Sequence, residues 1–263
     1  MKAPSVGLTC AFQLLLTLLT ADSVVLARTI QFAGYEWEVR RAGFGNPGPN
    51  YWSDSVENIW VDVDGNLHLE ITHDPVNDRW CCAEVFTREP TQYGKHLFYV
   101  ISRLDSLDQN VIAALFAYQD SLHEIDIEFM RSGQPFESYN AQYVVQPWHR
   151  WGNLRRFLMV LTGTYTAHYF DWQADRVLFK SIHGHYEEPR YPWDLIQEWS
   201  YEGNDVPQVG DSLRVHINLY LDGGKPPSDG QEVEITIKDA YLAFTPVTTS
   251  GWSTSDSNAR DER

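Results

Sequence analysis

The chain has 263 residues, of which 43% are hydrophobic and 14% aromatic, and its formal net charge is −16 at pH 7. This length and apolar content allow one sizeable core and at most two domains. The negative charge argues against nucleic acids and anionic membranes as partners, because both require clustered Lys and Arg. A neutral polymer is the partner most compatible with this charge.

Residues 1–27 are predicted to be a secretory signal peptide. Lys2 provides a basic start, and the apolar run VGLTCAFQLLLTLL is shorter than the roughly 20 residues that a bilayer span needs. Val25 to Ala27 offer cleavage positions, so we expect a secreted or periplasmic protein cleaved near Ala27. The mature chain would then keep only the adjacent Cys81 and Cys82, which provide no framework of distant disulfides.

From Thr29 onward the hydrophobic pattern has mostly period two, which is typical of β-strands. The segment VDVDGNLHLEI predicts a hairpin with its turn at Asp64–Gly65 or Gly65–Asn66. The only helical pattern is weak, in YPWDLIQEWS, with Pro192 near its start. More than ten strands without a fixed repeat predict an all-β sandwich or barrel, not a propeller.

The last residues lose this apolar pattern, and we expect 248–263 to be a disordered tail. The folded domain is therefore predicted to span residues 28–247. We expect it to be a monomer.

The segment SLHEIDIEFM, residues 121–130, places Glu124, Asp126 and Glu128 at every second position, with apolar residues between them. On a strand these three side chains share one face, with about 13 Å between the outer Cα atoms. Three like charges in a row are unfavourable in a sheet. A solvated amphipathic strand and a calcium site are alternatives to a reaction centre.

A retaining glycosidase needs two carboxyl groups about 5 to 5.5 Å apart, one as nucleophile and one as general acid and base. The two groups must hold different protonation states at one pH. Mutual repulsion and burial on a shared face separate pKa values in this way. The spacing of the three acids is compatible with this chemistry.

The segment HEIDIEF resembles the active-site strand of glycoside hydrolase family 16, whose pattern is Glu, aliphatic, Asp, aliphatic or aromatic, Glu. The resemblance extends over nearly all of residues 31–246, including WCCAEVFTREPTQYGKHLFYV and LRVHINLYLDGGKPPSDGQEVEITIKDAYLAF. It implies a concanavalin A-like β-jelly roll with a concave cleft for a polysaccharide. It also implies that Glu124 is the nucleophile, Glu128 the general acid and base, and Asp126 the support of the nucleophile.

The same resemblance implies further substrate-binding residues. Trp172 is similar to a cleft tryptophan on the strand beside the catalytic one, and a core position is the alternative. His168 lies four residues earlier, although many members place a histidine six residues before that tryptophan, where this chain has Thr166. Asn50 and Trp52 resemble residues of the cleft rim, and packing in the core is the alternative for Tyr51 or Trp52.

Three more positions are candidates for sugar contacts. Gln142 and Gln146 alternate on a neighbouring strand, and ordinary exposed amides are the alternative. Tyr220 stands where many members have Trp, which keeps a surface on which a sugar ring can stack. Trp148 and Trp151 are either cleft or core residues.

No cofactor is expected. His183 and His185 could face one side of a strand, but no third ligand is evident nearby in the sequence, so no metal site is predicted. A structural Ca²⁺ has no support in the sequence.

The sequence thus predicts a secreted retaining β-glycanase that acts on internal linkages of a neutral or weakly charged polysaccharide. A transglycosylase with the same residues and a non-catalytic glycan-binding module are the alternatives. The intact acids Glu124, Asp126 and Glu128 argue against the binding module, because binding alone does not require all three.

Overall fold

The computed structural model describes residues 27–134, 138–210 and 212–244 and is built almost entirely of β-strands. The strands are β1 (Thr29–Phe32), β2 (Tyr35–Val39), β3 (Gly43–Gly45), β4 (Asn50–Trp52), β5 (Ile59–Val61), β6 (Leu67–Asp74), β7 (Arg79–Thr87), β8 (Gly94–Ile101), β9 (Val111–Asp120), β10 (His123–Phe129), β11 (Ala141–Val145), β12 (Leu154–Phe157), β13 (Tyr165–Trp172), β14 (Val177–His183), β15 (Leu195–Tyr201), β16 (Arg214–Leu221) and β17 (Val233–Tyr241). Three short 3-10 helices span Leu104–Ser106, Pro192–Asp194 and Asp222–Gly224.

The predicted tail lies outside the described residues, as does the predicted signal peptide apart from Ala27. Within the described part of the chain, no helix has the length and apolar character to cross a membrane.

The strands form two stacked layers, which confirms the predicted all-β sandwich. The front sheet has the order β1-β2-β7-β16-β9-β10-β11-β12. The back sheet has the order β5-β6-β17-β8-β13-β14-β15. Neighbouring strands are antiparallel throughout both sheets. The β3–β4 hairpin joins the front sheet through a short parallel pairing of β4 with β7.

The core lies between the sheets and anchors β10 there. Ile125, Ile127 and Phe129 are fully buried on the inner face of this strand. The Phe129 ring meets His168 of the back sheet edge-on, with 4.8 Å between the ring centroids. Because side chains alternate across a strand, burying this face directs the three acids of β10 to the outer face of the front sheet.

The predicted hairpin is present as β5 and β6, with Gly65 in its turn at a φ of +81°. Asp62 Oδ1 accepts hydrogen bonds from the backbone N–H groups of Asp64 and Asn66, which fixes the turn.

The helical expectation for YPWDLIQEWS is only partly correct. Its first residues form the 3-10 helix Pro192–Asp194, and the remainder is strand β15. Pairing of β15 with β14 satisfies its backbone, and this sheet context overrides the weak helical pattern.

Candidate active site

The three acids of β10 share one face in the middle of the front sheet. The strand lies between β9 and β11, so that Asp126 is opposite Phe116 on one side and Val144 on the other. Asp126 is only 3% exposed, whereas Glu124 and Glu128 are half-buried. The predicted placement of all three carboxyl groups on one face is therefore what the structure shows.

Burial raises the pKa of all three carboxyl groups, and repulsion between the acids adds to the rise for Glu124 and Asp126. For Glu124, burial is the largest cause and the Glu128 charge adds to it, while a hydrogen bond with Asp126 opposes the rise; the pKa reaches about 8. Burial raises the pKa of Asp126 well above its ordinary value, and both flanking glutamates add to the effect. Burial also raises the pKa of Glu128. The three groups therefore share protons at neutral pH.

A cavity of about 430 Å³ opens beside Glu128. We call it the catalytic cavity. Its walls come from β10, β11, β12, the end of β16 and the β3–β4 turn. The residues that line it are Pro47, Gly48, Ile112, Glu128, Met130, Gln142, Val144, Gln146, Trp148, Leu154, Arg156, Tyr220, Asp222 and Gly223.

Both predicted glutamines lie in this cavity and contact the acids. Gln142 Nε2 donates a hydrogen bond to Glu128 Oε2, and Gln146 Nε2 lies 3.4 Å from Asp126 Oδ2. Arg156 Nε in turn donates to Gln142 Oε1 at 3.1 Å, which orients the amide toward Glu128. The Gln142 hydrogen bond and the Arg156 charge partly offset the burial that raises the pKa of Glu128.

Tyr220 also lines the catalytic cavity. Only 9% of the residue is exposed. Burial raises the pKa of the Tyr220 hydroxyl well above its ordinary value, and the nearby charges of Glu128, Asp126 and Glu124 add to this rise. The phenol therefore stays protonated beside the acids.

The prediction that Asn50 and Trp52 form an open cleft rim is wrong, because both are buried. Asn50 is 2% exposed, and its amide donates hydrogen bonds to the backbone oxygens of Pro47 and Leu221. Trp52 is 1% exposed, with its ring centroid 6.1 Å from that of Tyr220. The two side chains support the cavity wall from behind.

The prediction that Trp172 and His168 line the cleft is also wrong. Both lie on β13, which belongs to the back sheet, and both are fully buried. Trp172 Nε1 donates to the Pro207 oxygen at 2.9 Å, and His168 lies within hydrogen-bond distance of Ser181 and Thr166. They lie on the core side of β10 and not in the cleft, since the neighbours of β10 within its own sheet are β9 and β11.

The structure adds a charged network that the sequence reasoning missed. Glu84 of β7 lies on the same face of the front sheet, three strands from β10, and is 6% exposed. It pairs with Arg40 Nη1 at 2.6 Å and lies 2.8 Å from His216 Nδ1. These partners outweigh burial and hold the pKa of Glu84 below its ordinary value, and its charge contributes to the raised pKa of Glu124. The sequence did contain one indication of this network: Glu84 is the only charged residue in the apolar run WCCAEVF.

Among the described residues, no group of three or more His, Cys, Asp or Glu side chains is arranged to hold a metal ion.

No family model matches the chain, and no curated protein matches it. Solved structures do match. The β-glucanase of Bacillus licheniformis has a TM-score of 0.57 and 16% identity, with 80% of this chain and 92% of that chain covered. A prokaryotic β-1,3-1,4-glucanase, or lichenase, from a mouse hindgut metagenome has a TM-score of 0.54 and 20% identity, with 76% and 88% covered.

A third match is the immunostimulatory antigen and pseudo β-1,3-glucanase of Mycobacterium tuberculosis, with a TM-score of 0.52 and 18% identity. It covers 79% of this chain and 91% of that chain. At these identities the matches establish the fold. The predicted concanavalin-like jelly roll with its curved sheet is therefore confirmed.

The raised pKa of Glu124 predicts a pH-dependent stability. In the folded protein the Glu124 carboxyl group stays protonated up to about pH 8, whereas in the unfolded chain it loses its proton near pH 4.5. The stabilising contribution is thus complete below about pH 4.5 and is lost as the pH rises toward 8. Glu124→Gln, which stays neutral, should gain free energy of unfolding relative to wild type between about pH 5 and 8.

Urea unfolding of both proteins at several pH values measures this difference. The variant Glu57→Gln is a suitable control, since Glu57 is exposed. A difference between wild type and Glu124→Gln that does not change with pH would contradict the raised pKa.

Proposed function

We propose that this protein is a glycoside hydrolase that cleaves internal β-glycosidic linkages of a polysaccharide with retention of configuration. The observation that carries the proposal is the row Glu124, Asp126 and Glu128 on one face, beside a cavity lined by aromatic and amide side chains. The matched glucanases share this fold, which supports the assignment.

In this proposal Glu124 is the nucleophile. When the proton that the acids share lies on Asp126, the Glu124 carboxylate is ionised; it attacks the anomeric carbon and forms a glycosyl-enzyme ester, while the bond to the leaving oxygen breaks. Asp126 lies next to it and shares a hydrogen bond with it. A proton held on Asp126 can stabilise the charge of the Glu124 carboxylate before attack and follow the change in charge during the reaction.

Glu128 is the general acid in the same step. It protonates the leaving oxygen, and its carboxylate then removes a proton from the water that hydrolyses the ester. Its position in the wall of the catalytic cavity gives it access to a bound sugar. The raised pKa of Glu128 favours the protonated form that the first step requires.

The walls of the catalytic cavity suit a neutral or weakly charged sugar chain. Trp148 is 61% exposed and Tyr220 lies nearby, so that a pyranose ring could stack on an aromatic surface. The amides of Gln142 and Gln146 offer hydrogen bonds to hydroxyl groups. A polysaccharide outside the cell is consistent with the proposed secretion of the protein.

A glycan-binding module without turnover is the second candidate. One of the matched structures is described as a pseudo β-1,3-glucanase. The fold is therefore compatible with the loss of that activity, and turnover has to be measured directly.

Glu124→Gln is expected to reduce turnover at least about a thousandfold, because the amide cannot form the ester intermediate. Sugar binding should be retained. The measurement incubates wild type and variant with laminarin, mixed-linkage glucan, xyloglucan, agar and carrageenan, and sizes the products. Hydrolysis yields shorter chains, whereas transglycosylation also yields longer ones. Wild-type activity in the variant on every cleaved substrate would refute the nucleophile assignment, and binding without turnover by wild type would support the module.

Glu128→Gln is expected to slow the first step most for substrates with poor leaving groups, because these depend on protonation of the leaving oxygen. Aryl glycosides with leaving groups of graded pKa measure this dependence. Equal slowing of Glu128→Gln for all leaving groups would contradict the acid role.

The conservative variant Gln142→Glu tests the hydrogen bond to Glu128, since a second carboxylate there should raise the pKa of Glu128 further.

A further inference from the structure

A second cavity lies beside the proposed active site, where the turn between β11 and β12 meets the end of β15. Its volume is about 500 Å³. Residues 150–153 form one side, and residues 199–205 form the other. We call it the lateral cavity. It has no residue in common with the catalytic cavity.

Two indole rings line the lateral cavity. Trp151 is fully exposed, at 102% of its reference area, although a solvated indole forgoes the burial that normally stabilises it. Trp199 is half-buried and stacks on Phe179, with 5.3 Å between centroids and 17° between the ring planes. The Trp199 ring is thus a flat surface held in place by Phe179, and the Trp151 ring is a flat surface exposed to solvent.

The polar groups of the lateral cavity form a connected network. Arg150 pairs with Asp205, and Asn153 Nδ2 donates a hydrogen bond to Asp205 Oδ2 at 3.0 Å. Tyr201 Oη donates to Asn153 Oδ1 at 3.0 Å. Asn153 and Tyr201 are both buried, so this network holds the exposed Arg150 and the carboxylate of Asp205 in place.

Such a site matches the chemistry of a sugar. The axial C–H groups of a pyranose give it an apolar face for an indole, and its hydroxyl groups both donate and accept hydrogen bonds. The guanidinium of Arg150 supplies donors and the carboxylate of Asp205 supplies acceptors. A purely apolar partner would leave this ion pair unsolvated.

The lateral cavity also adjoins the proposed active site along the chain. Trp148 lines the catalytic cavity, and Trp151 lines the lateral one. Trp151 is three positions after Trp148, so that their Cα atoms are at most about 11 Å apart. A polymer that leaves the catalytic cavity past Trp148 can therefore reach Trp151.

We propose that the lateral cavity is a second glycan-binding site that holds a distant stretch of the same polysaccharide, with Trp151 and Trp199 as stacking surfaces. This inference rests on the proposed function, because it assigns the same class of ligand to a separate site. Its role is to retain the polymer near the active site, and short oligosaccharides do not extend to it.

The test measures retention of the protein in native gels that contain one polysaccharide each: laminarin, mixed-linkage glucan, xyloglucan, agar or carrageenan. The parent protein is the Glu124→Gln variant, which should bind these polymers without degrading them. Adding Trp151→Ala or Trp199→Ala should weaken retention about two- to tenfold for the polymer that the parent binds. Trp151→Ala removes a fully exposed ring and leaves the packing intact, whereas Trp199→Ala also removes the contact with Phe179.

Trp193→Ala is the matched control. Trp193 is 72% exposed and lies before the opposite end of β15, six residues from Trp199, which corresponds to about 20 Å along a strand. It should leave retention unchanged. In the background with Glu124 intact, Trp151→Ala should raise KM for the polymer several-fold and leave kcat/KM for short oligosaccharides unchanged.

The outcomes separate this inference from the proposed function. Retention that is equal for the parent, Trp151→Ala and Trp199→Ala would overturn the second site and leave the proposed enzyme standing. Weakened retention in both variants, in a protein without turnover, would support the second site and count against the proposed enzyme. A parent that no polysaccharide retains would overturn the second site.

Discussion

The structure depends on one electrostatic constraint, the placement of three carboxyl groups in a row on a strand inside a sheet. Asp126 is almost fully buried between Glu124 and Glu128, so the three groups cannot all ionise without a large cost. The opposite face of β10 provides the anchor that makes this arrangement possible. Ile125 and Ile127 are completely buried there, and a slip of one residue would turn the acids into the core.

The surroundings of the three acids differ from one end of the row to the other. At the Glu128 end, Gln142 and Arg156 form a polar wall of the catalytic cavity. Toward Glu124, the negative charge of Glu84, held by Arg40 and His216, adds to the repulsion. The Glu128 end therefore has partners that lower the pKa of its carboxyl group, whereas the Glu124 end has a charged neighbour that raises the pKa there.

The sequence predicted features that are local to one strand. Alternation alone placed Glu124, Asp126 and Glu128 on one face, and it predicted the β5–β6 hairpin. Alternation does not say to which sheet a strand belongs. The cleft positions of Trp172 and His168 were implied by the family resemblance alone, and they are wrong because β13 lies in the back sheet.

Long-range contacts account for the other differences. Trp52 is buried because Tyr220, far along the chain, packs near it. Glu84 joins the site through His216, which is 132 residues away, and no local pattern reports such a pairing. Gln142 lies on β11, which pairs directly with β10, and Gln146 directly follows that strand, so alternation was enough to predict both.

The central claim is that Glu124, Asp126 and Glu128 share protons at neutral pH, and a direct titration tests it. Carbon-13 NMR of labelled Asp and Glu carboxyl groups, assigned with Glu124→Gln, Asp126→Asn and Glu128→Gln, follows each group from about pH 3 to pH 10. The account predicts that the three groups still hold at least one proton at pH 7, with Glu124 titrating near 8 and Asp126 above its ordinary value. Complete ionisation of all three below about pH 6, near the ordinary values of about 4, would contradict it.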